Sequence, residues 1–239
     1  VTGANVSVKL TDAFMQAAID GKPFVQQYPI DADEPLFKKE ISATDLWKKI
    51  VHNAWKSAEP GVLFWDTILR ESVPDCYADL GYRTVSTNPC GEIPLCPYDS
   101  CRLLAINLYS YVVNPFKPDA YFDFDLFKKH VALAQRIMDD IIDLELEKIE
   151  RIMAKIDSDP ENEDVKHTES VLWQKIYKKS GQGRRTGVGI TAEGDMIAAL
   201  GMRYGSDEAV AFAVEVQKTL AVEAYRASVK MAAERGAFP

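Results

Sequence analysis

Val85-Ser-Thr-Asn-Pro-Cys-Gly-Glu-Ile-Pro-Leu-Cys-Pro-Tyr-Asp-Ser-Cys-Arg-Leu-Leu-Ala-Ile-Asn-Leu108 is the stretch on which the reading of this chain turns. It sets an amide (Asn88), a thiol (Cys90) and a carboxylate (Glu92) at i, i+2 and i+4. In an extended backbone alternate side chains share a face, so the three predict a row spaced roughly 6 to 7 Å apart. Such a row offers a small substrate a hydrogen-bonding group, a sulfur reactant and a proton acceptor together. Pro89 and Gly91 fill the alternate positions and suit a stiff, irregular loop better than a ladder strand. Pro94, Pro97, Asp99 and Ser100 favour a chain reversal before Cys101, which predicts a hairpin bringing Cys90 and Cys101 to one pocket. A plainer reading stands beside this one, in which Asn-Pro-Cys-Gly is a turn around an inert, buried cysteine.

Asn88-Pro-Cys-Gly-Glu-Ile-Pro-Leu95, followed by Ser100-Cys101 and Ile106-Asn-Leu108, resembles the active-site finger loop of ribonucleotide reductases. The form with proline before the cysteine is most similar to the adenosylcobalamin-dependent class II enzymes. Asn5-Val-Ser-Val-Lys-Leu-Thr-Asp-Ala-Phe-Met15 resembles the family's segment after its effector-specificity loops, and Glu59-Pro-Gly-Val-Leu-Phe64 the stretch upstream of the finger loop. Gly183-Arg-Arg-Thr-Gly-Val-Gly-Ile-Thr-Ala-Glu-Gly-Asp195, with Leu200-Gly201 and Tyr204-Gly205, looks like a downstream barrel strand and helix. The implied fold is α/β and helix-rich, part of a ten-stranded α/β barrel with the finger loop through its centre. Residues 1–239 then correspond to the central portion of the catalytic barrel domain, truncated at both ends.

The resemblance also implies a chemistry: reduction of ribonucleotides to deoxyribonucleotides. Cys90 would carry a transient thiyl radical, with adenosylcobalamin as the cofactor that supplies it, and would take the 3′ hydrogen of the ribose. Glu92 would accept the 3′-hydroxyl proton, and Asn88 would orient the ribose hydroxyls. Asn88, Pro89, Cys90, Gly91 and Glu92 together would line the substrate. Cys101 matches one thiol of the redox-active pair that supplies two electrons and closes to a disulfide; its mate in the family lies upstream of Val1. The partners implied are a ribonucleoside di- or triphosphate, a thioredoxin-like reductant, nucleotide effectors bound outside these residues, and a second subunit in a homodimer of the full-length protein. Arg102-Leu-Leu-Ala105 departs from the family, whose members often carry an Asn-Leu-Gly-Ser-like run there. Two other readings are the iron-dependent class I large subunit, which shares Cys-x-Glu, and a non-catalytic helical binding module.

Composition narrows the alternatives. A net charge of −8 and the lack of any basic run argue against a nucleic-acid groove. The densest basic pairs, Lys178-Lys179 and Arg184-Arg185, read as a solvated face and as a structural or phosphate-facing turn. No apolar run approaches the roughly eighteen residues of a membrane span, and the opening residues lack a signal-peptide pattern, so the expected location is the cytoplasm. Cys76, Cys90, Cys96 and Cys101 contain no Cys-x-x-Cys pair, and His52, His130 and His167 lack paired-ligand spacing, so no metal site is expected. Cys76 and Cys96 read as bystanders, and any disulfide as catalytic. Gly181-Gln-Gly-Arg-Arg-Thr-Gly187 meets neither nucleotide-binding fingerprint and reads as a barrel strand whose glycines permit close backbone packing.

The periodicity predicts mostly helix around short strands. Thr11-Asp12 caps a helix ending at Gly21; Phe24–Ile30 reads as a strand; Ser42 or Thr44 starts a helix closed by Pro60-Gly61. Arg83–Thr87 reads as a strand into the loop, and Leu103–Val113 as an apolar segment leaving it. From Asp123 to Ile156 the stripe Phe127, Val131, Ala134, Met138, Ile141, Ile142, Leu146, Ile149, Met153 and Ile156 predicts one long helix packed on a core. Asp157–Asp164 reads as an acidic loop, and helices are predicted near 165–179, 191–200 and 206–236.

Overall fold

The computed structural model describes residues 4–100 and 102–238, which fall into two compact units, Val1–Pro97 and Tyr98–Pro239. In the first, β1 (Ser7–Leu10) leads into α1 (Asp12–Asp20), a hairpin of β2 (Pro23–Tyr28) and β3 (Phe37–Ser42), α2 (Ala43–Ser57) and β4 (Gly61–Phe64). Strands β1 and β4 pair in parallel, with Lys9 opposite Leu63. A parallel pair needs a long crossover, and the two helices and the hairpin supply it. Local chemistry fixes the helix ends. The Thr11 hydroxyl accepts the Phe14 N–H at 3.2 Å, and Gly21 closes α1 in the left-handed region at φ 66°. Ser42 caps α2 through the Asp45 N–H, but Ala58, not Pro60-Gly61, ends it, again left-handed. Leu10, Phe14, Ala43 and Ile50 form the buried core here, with the Phe14 and Phe24 rings edge to face at 5.3 Å.

After β4 come α3 (Trp65–Glu71), a 3₁₀ segment (Val73–Leu80), and a short hairpin of β5 (Ser86–Thr87) and β6 (Pro94–Leu95). The strand predicted over Arg83–Thr87 is thus only two residues of ladder. Thr84 is instead turned into the interior, where its hydroxyl and N–H both bind the Asp75 carboxylate, at 2.6 and 2.9 Å.

The second unit begins with β7 (Leu103–Asn107), a 3₁₀ turn (Leu108–Tyr111), and the short antiparallel pair β8 (Val112–Val113) and β9 (Tyr121–Phe122). Helix α4 (Phe124–Ser158) follows for 35 residues, about 52 Å at the α-helical rise. Then come α5 (Glu163–Gly183), β10 (Gly187–Thr191), α6 (Glu193–Ala199) and α7 (Asp207–Arg235). β10 pairs in parallel with β7, and Gly187 faces Leu103. A Cβ at Gly187 would stand 2.8 Å from the Leu103 side chain and 3.0 Å from the Arg102 carbonyl, so glycine is required for this approach. The strand read from the glycine-rich segment begins only at Gly187, because residues 181–183 instead close α5 and Arg184 is its C-cap.

The predicted stripe of α4 is buried at Phe127, Val131, Ala134, Met138, Ile142, Ile149 and Ile156. Ile141 lies 38% exposed, because neighbours on a helix are 100° apart and only Ile142 of the pair faces inward. The acidic loop shrinks to Asp159–Asn162, since α4 runs through Ser158 and Asn162 caps α5 by accepting the Asp164 N–H at 2.9 Å. Tyr111, Phe122, Phe124, Phe127 and Phe212 stack edge to face at the head of this core. The chain is α/β and helix-rich, and its described strands form five two-stranded sheets. No described helix is long and apolar enough to cross a membrane.

Candidate active-site loop

Asn88, Cys90 and Glu92 do not form the extended row expected from alternation. They lie in the six residues, 88–93, that join β5 to β6, and the chain reverses at Cys90 itself. The Gly91 N–H donates to the Asn88 carbonyl at 3.0 Å, which closes a β-turn over Asn88-Pro89-Cys90-Gly91. Asparagine first, proline second and glycine last is the residue order a type I turn prefers. A type II turn is excluded, because it would put Cys90 in the left-handed region, where it is not found. The expected irregular loop is present, and it is held by turn hydrogen bonds that sequence alternation does not report.

The rest of the loop is stapled to the same asparagine. The Ile93 N–H donates to Asn88 Oδ1 at 2.9 Å, the Asn88 N–H donates to the Ile93 carbonyl at 3.2 Å, and the Thr87 hydroxyl donates to the Asn88 carbonyl at 2.9 Å. Below them the Val85 N–H reaches the Leu95 carbonyl at 2.9 Å. Gly91 takes φ 84°, and a Cβ there would stand 3.1 Å from the Leu63 side chain. The turn thus rests on β4. Asn88 is half-buried, whereas Cys90 and Glu92 are exposed. A thiol and a carboxylate two residues apart on a braced turn are open to a reactant from outside the core.

Cys101 lies outside the described residues, and so does its separation from Cys90. The residues on either side of it are pinned. Asp99 pairs with Arg185 at 2.5 Å. The buried Arg102 guanidinium binds Glu145, donates to Ser180 Oγ at 3.0 Å and to the Arg185 carbonyl at 3.1 Å. The Arg102 carbonyl in turn accepts the Gly187 N–H at 2.8 Å. The Arg-Leu-Leu-Ala departure is therefore built into the packing of β7 on β10, α4 and α5.

Arg184 completes the account of the basic pair. It binds Asp139 at 2.6 Å and Asp143 at 2.9 Å, and Arg235 binds Asp139 and Asp140 at 2.8 and 2.7 Å. Both arginines of the pair hold carboxylates, as the structural reading expects. Burial opposes the charge on Asp139, but the hydrogen bonds and charges of Arg184 and Arg235 outweigh it and hold the carboxyl below the usual aspartate range. The aspartate triple of α4 is accounted for by these arginines. His130 is satisfied by the Tyr111 hydroxyl at 3.0 Å, Cys76 is exposed and Cys96 buried.

The sequence model described as "Ribonucleotide reductase, barrel domain" matches residues 2–239. The chain belongs to the ribonucleotide reductase barrel-domain family. It is 33% identical over 235 residues to a vitamin B12-dependent ribonucleoside-diphosphate reductase of Thermoplasma acidophilum, covering 98% of this chain and 26% of that protein. A Mycobacterium tuberculosis (strain H37Rv) protein of the same name is 31% identical over 236 residues, 98% of this chain and 28% of the relative. The chain thus spans about a quarter of the length of these curated relatives. Among solved structures, the class Id ribonucleotide reductase alpha subunit of Actinobacillus ureae superposes with a TM-score of 0.66 at 18% identity, over 97% of this chain and 36% of that one. That likeness bears on the fold of the reductase barrel.

Sequence reasoning missed two supports of the loop, Asp75 under Thr84 and Lys9 on the Val85 carbonyl, and, in the second unit, Glu145 on Arg102. Each partner lies 9 to 76 residues away in sequence, and no local pattern marks it.

Proposed function

We propose that this chain is the finger-loop portion of an adenosylcobalamin-dependent ribonucleotide reductase, which reduces ribonucleotides to deoxyribonucleotides by thiyl-radical chemistry within a ten-stranded barrel. The observation that carries the reading is the braced turn that presents the Cys90 thiol and the Glu92 carboxylate to the outside, in a chain related to reductases named as B12-dependent. Adenosylcobalamin, when bound, supplies the initial radical. The exposed Cys90 is open to a radical generated on a separately bound cofactor.

In this reading Cys90 takes the 3′ hydrogen atom of the ribose and returns one when the product radical is quenched. Glu92 accepts the 3′-hydroxyl proton, which requires a carboxylate within direct hydrogen-bond reach. The 2′-hydroxyl leaves as water. Two electrons come from two thiols, which lose their protons and join as a disulfide. Cys101 is assigned as one of them, and a thioredoxin-like dithiol restores it. Asn88 has its side-chain oxygen on Ile93, so its role toward the ribose is as a donor through Nδ2.

The test is made in the longer reductase that carries this chain, with a ribonucleoside diphosphate and adenosylcobalamin. Cys90→Ala is expected to abolish product, because no other side chain here can carry the radical. Cys101→Ser is expected to form less than one equivalent of deoxyribonucleotide with thioredoxin, because one of the two thiols that reduce the substrate is missing. Sustained deoxyribonucleotide formation by Cys90→Ala would overturn the mechanism.

A further inference from the structure

The turn that carries Cys90 touches the β1–β4 sheet at both of its ends, through one pair of strand residues. At the base, the Lys9 ammonium donates to the Val85 carbonyl. Val85 is the last residue before the β5–β6 ladder; its N–H is taken by the Leu95 carbonyl and its own carbonyl by Lys9 of β1. At the apex, Gly91 packs on the Leu63 side chain. Lys9 and Leu63 are opposite one another in the parallel register, and residues paired across a sheet share the pleat and project from one face.

The ammonium is itself held. It lies 3.6 Å from the centre of the Trp65 ring, at the first turn of α3, and cation–π attraction fixes it over that face. Loss of water around it pulls Lys9 below the usual lysine value, in keeping with this partly covered position. Asp75 fixes the neighbouring Thr84 from the other side.

We propose that Lys9 is a positioning residue for Cys90: by tying the base of the hairpin to β1, next to the Leu63 contact under Gly91, it sets the orientation in which the thiol is presented. This rests on the reading of Cys90 as the radical thiol. The arrangement predicts that removing the ammonium loosens the turn without unfolding the sheet beneath it.

Amide hydrogen exchange on the 239-residue chain tests the clamp, whether or not Cys90 carries a radical. In Lys9→Met, which keeps the stem and loses the charge, the hydrogen-bonded amides of Val85, Asn88, Gly91 and Ile93 are expected to exchange about tenfold faster. Lys9→Arg, which keeps charge, donor and ring contact, is expected to restore native protection. The Gly187 amide serves as the control and should not change. Native exchange at all four hairpin amides in Lys9→Met, or the same acceleration at Gly187, would overturn the proposal. Should Lys9→Met fail to fold, Trp65→Leu replaces it, with roughly threefold faster exchange expected at the same amides and no change counting against the clamp. In the longer reductase, Lys9→Met should lower kcat at unchanged KM for the ribonucleoside diphosphate, with Lys9→Arg recovering kcat; a raised KM at unchanged kcat would contradict a role in presenting the thiol. Failure of the Cys90 reading is seen separately, in the Cys90→Ala protein.

Discussion

The side-chain oxygen of Asn88 accepts the backbone N–H of Ile93 at 2.9 Å, five residues along the chain, and with the Asn88 N–H on the Ile93 carbonyl it closes the loop that carries Cys90. It divides the two ends of the amide between two tasks. The oxygen serves the fold, and in the proposed mechanism the nitrogen serves the ribose.

Substitutions at Asn88 should separate those tasks. Aspartate keeps an acceptor for Ile93 and loses both side-chain donors. Asn88→Asp is therefore expected to retain the native denaturation midpoint within experimental error while the longer reductase loses about a hundredfold in kcat. Asn88→Ala loses the staple as well and should cost about 1 kcal/mol of stability. Urea unfolding of the chain and steady-state assay of the reductase check the pair. Equal activity in Asn88→Asp and the native protein would remove Asn88 from substrate binding.

Gly91 is the turn's second requirement. A side chain there meets two obstacles, the positive φ of 84° and the Leu63 side chain at 3.1 Å. Gly91→Ala should destabilise by about 1 to 2 kcal/mol, from left-handed strain alone. Leu63→Ala in the same chain should not rescue it, because trimming the neighbour relieves the contact and leaves the backbone strain. Full rescue by Leu63→Ala would show that the contact, not φ, is limiting.

How much of this was legible follows from the range of each interaction. The caps at Thr11 and Ser42, the Gly21 stop and the buried stripe of α4 are set by residues within one or two turns, and the sequence displays them. Strand β3 was not legible: Phe37-Lys-Lys-Glu-Ile-Ser42 pairs with β2 but buries neither face, so no alternation marks it. The Asn88–Cys90–Glu92 motif is legible as an irregular loop, but alternation misses that the chain turns at Cys90. Asn-Pro-x-Gly is itself a type I turn signal, and the turn hydrogen bond overrode strand alternation. Lys9 and Arg102 gave no sign of their roles, because their partners are brought near only by the finished fold.

The Asp139 cluster predicts a pH dependence of known sign. Arg184 and Arg235 hold the Asp139 carboxyl below its unfolded value of about 3.9, so its charge stabilises the fold fully above that pH. The contribution is lost as pH falls from about 4 through the lower folded value. Asp139→Asn should therefore lower stability at pH 7 and flatten the acid limb of the stability curve. Thermal unfolding of both proteins from pH 7 to pH 2 checks this; parallel curves over the whole range would place the acid sensitivity elsewhere.

Arg102 offers the sharpest test of the second unit, because its side chain and its backbone do separate work. The carbonyl accepts the Gly187 N–H and sets the start of the β7–β10 register, whatever the side chain is. The guanidinium is buried and serves Glu145, Ser180 and the Arg185 carbonyl. Arg102→Met should thus keep the parallel register while stranding Glu145 and Ser180, at a cost of about 2 to 3 kcal/mol. That lies below the cost of breaking a fully buried pair, because the Glu145 side chain is 29% exposed and water recovers part of its charge. Adding Glu145→Leu removes the stranded carboxylate and should return at least half of the loss, giving a double-mutant coupling of about 1 to 2 kcal/mol. Strict additivity of the two substitutions would mean that the ion pair contributes nothing and that Arg102 stabilises the strand only through its packed stem and its bonds to Ser180 and Arg185.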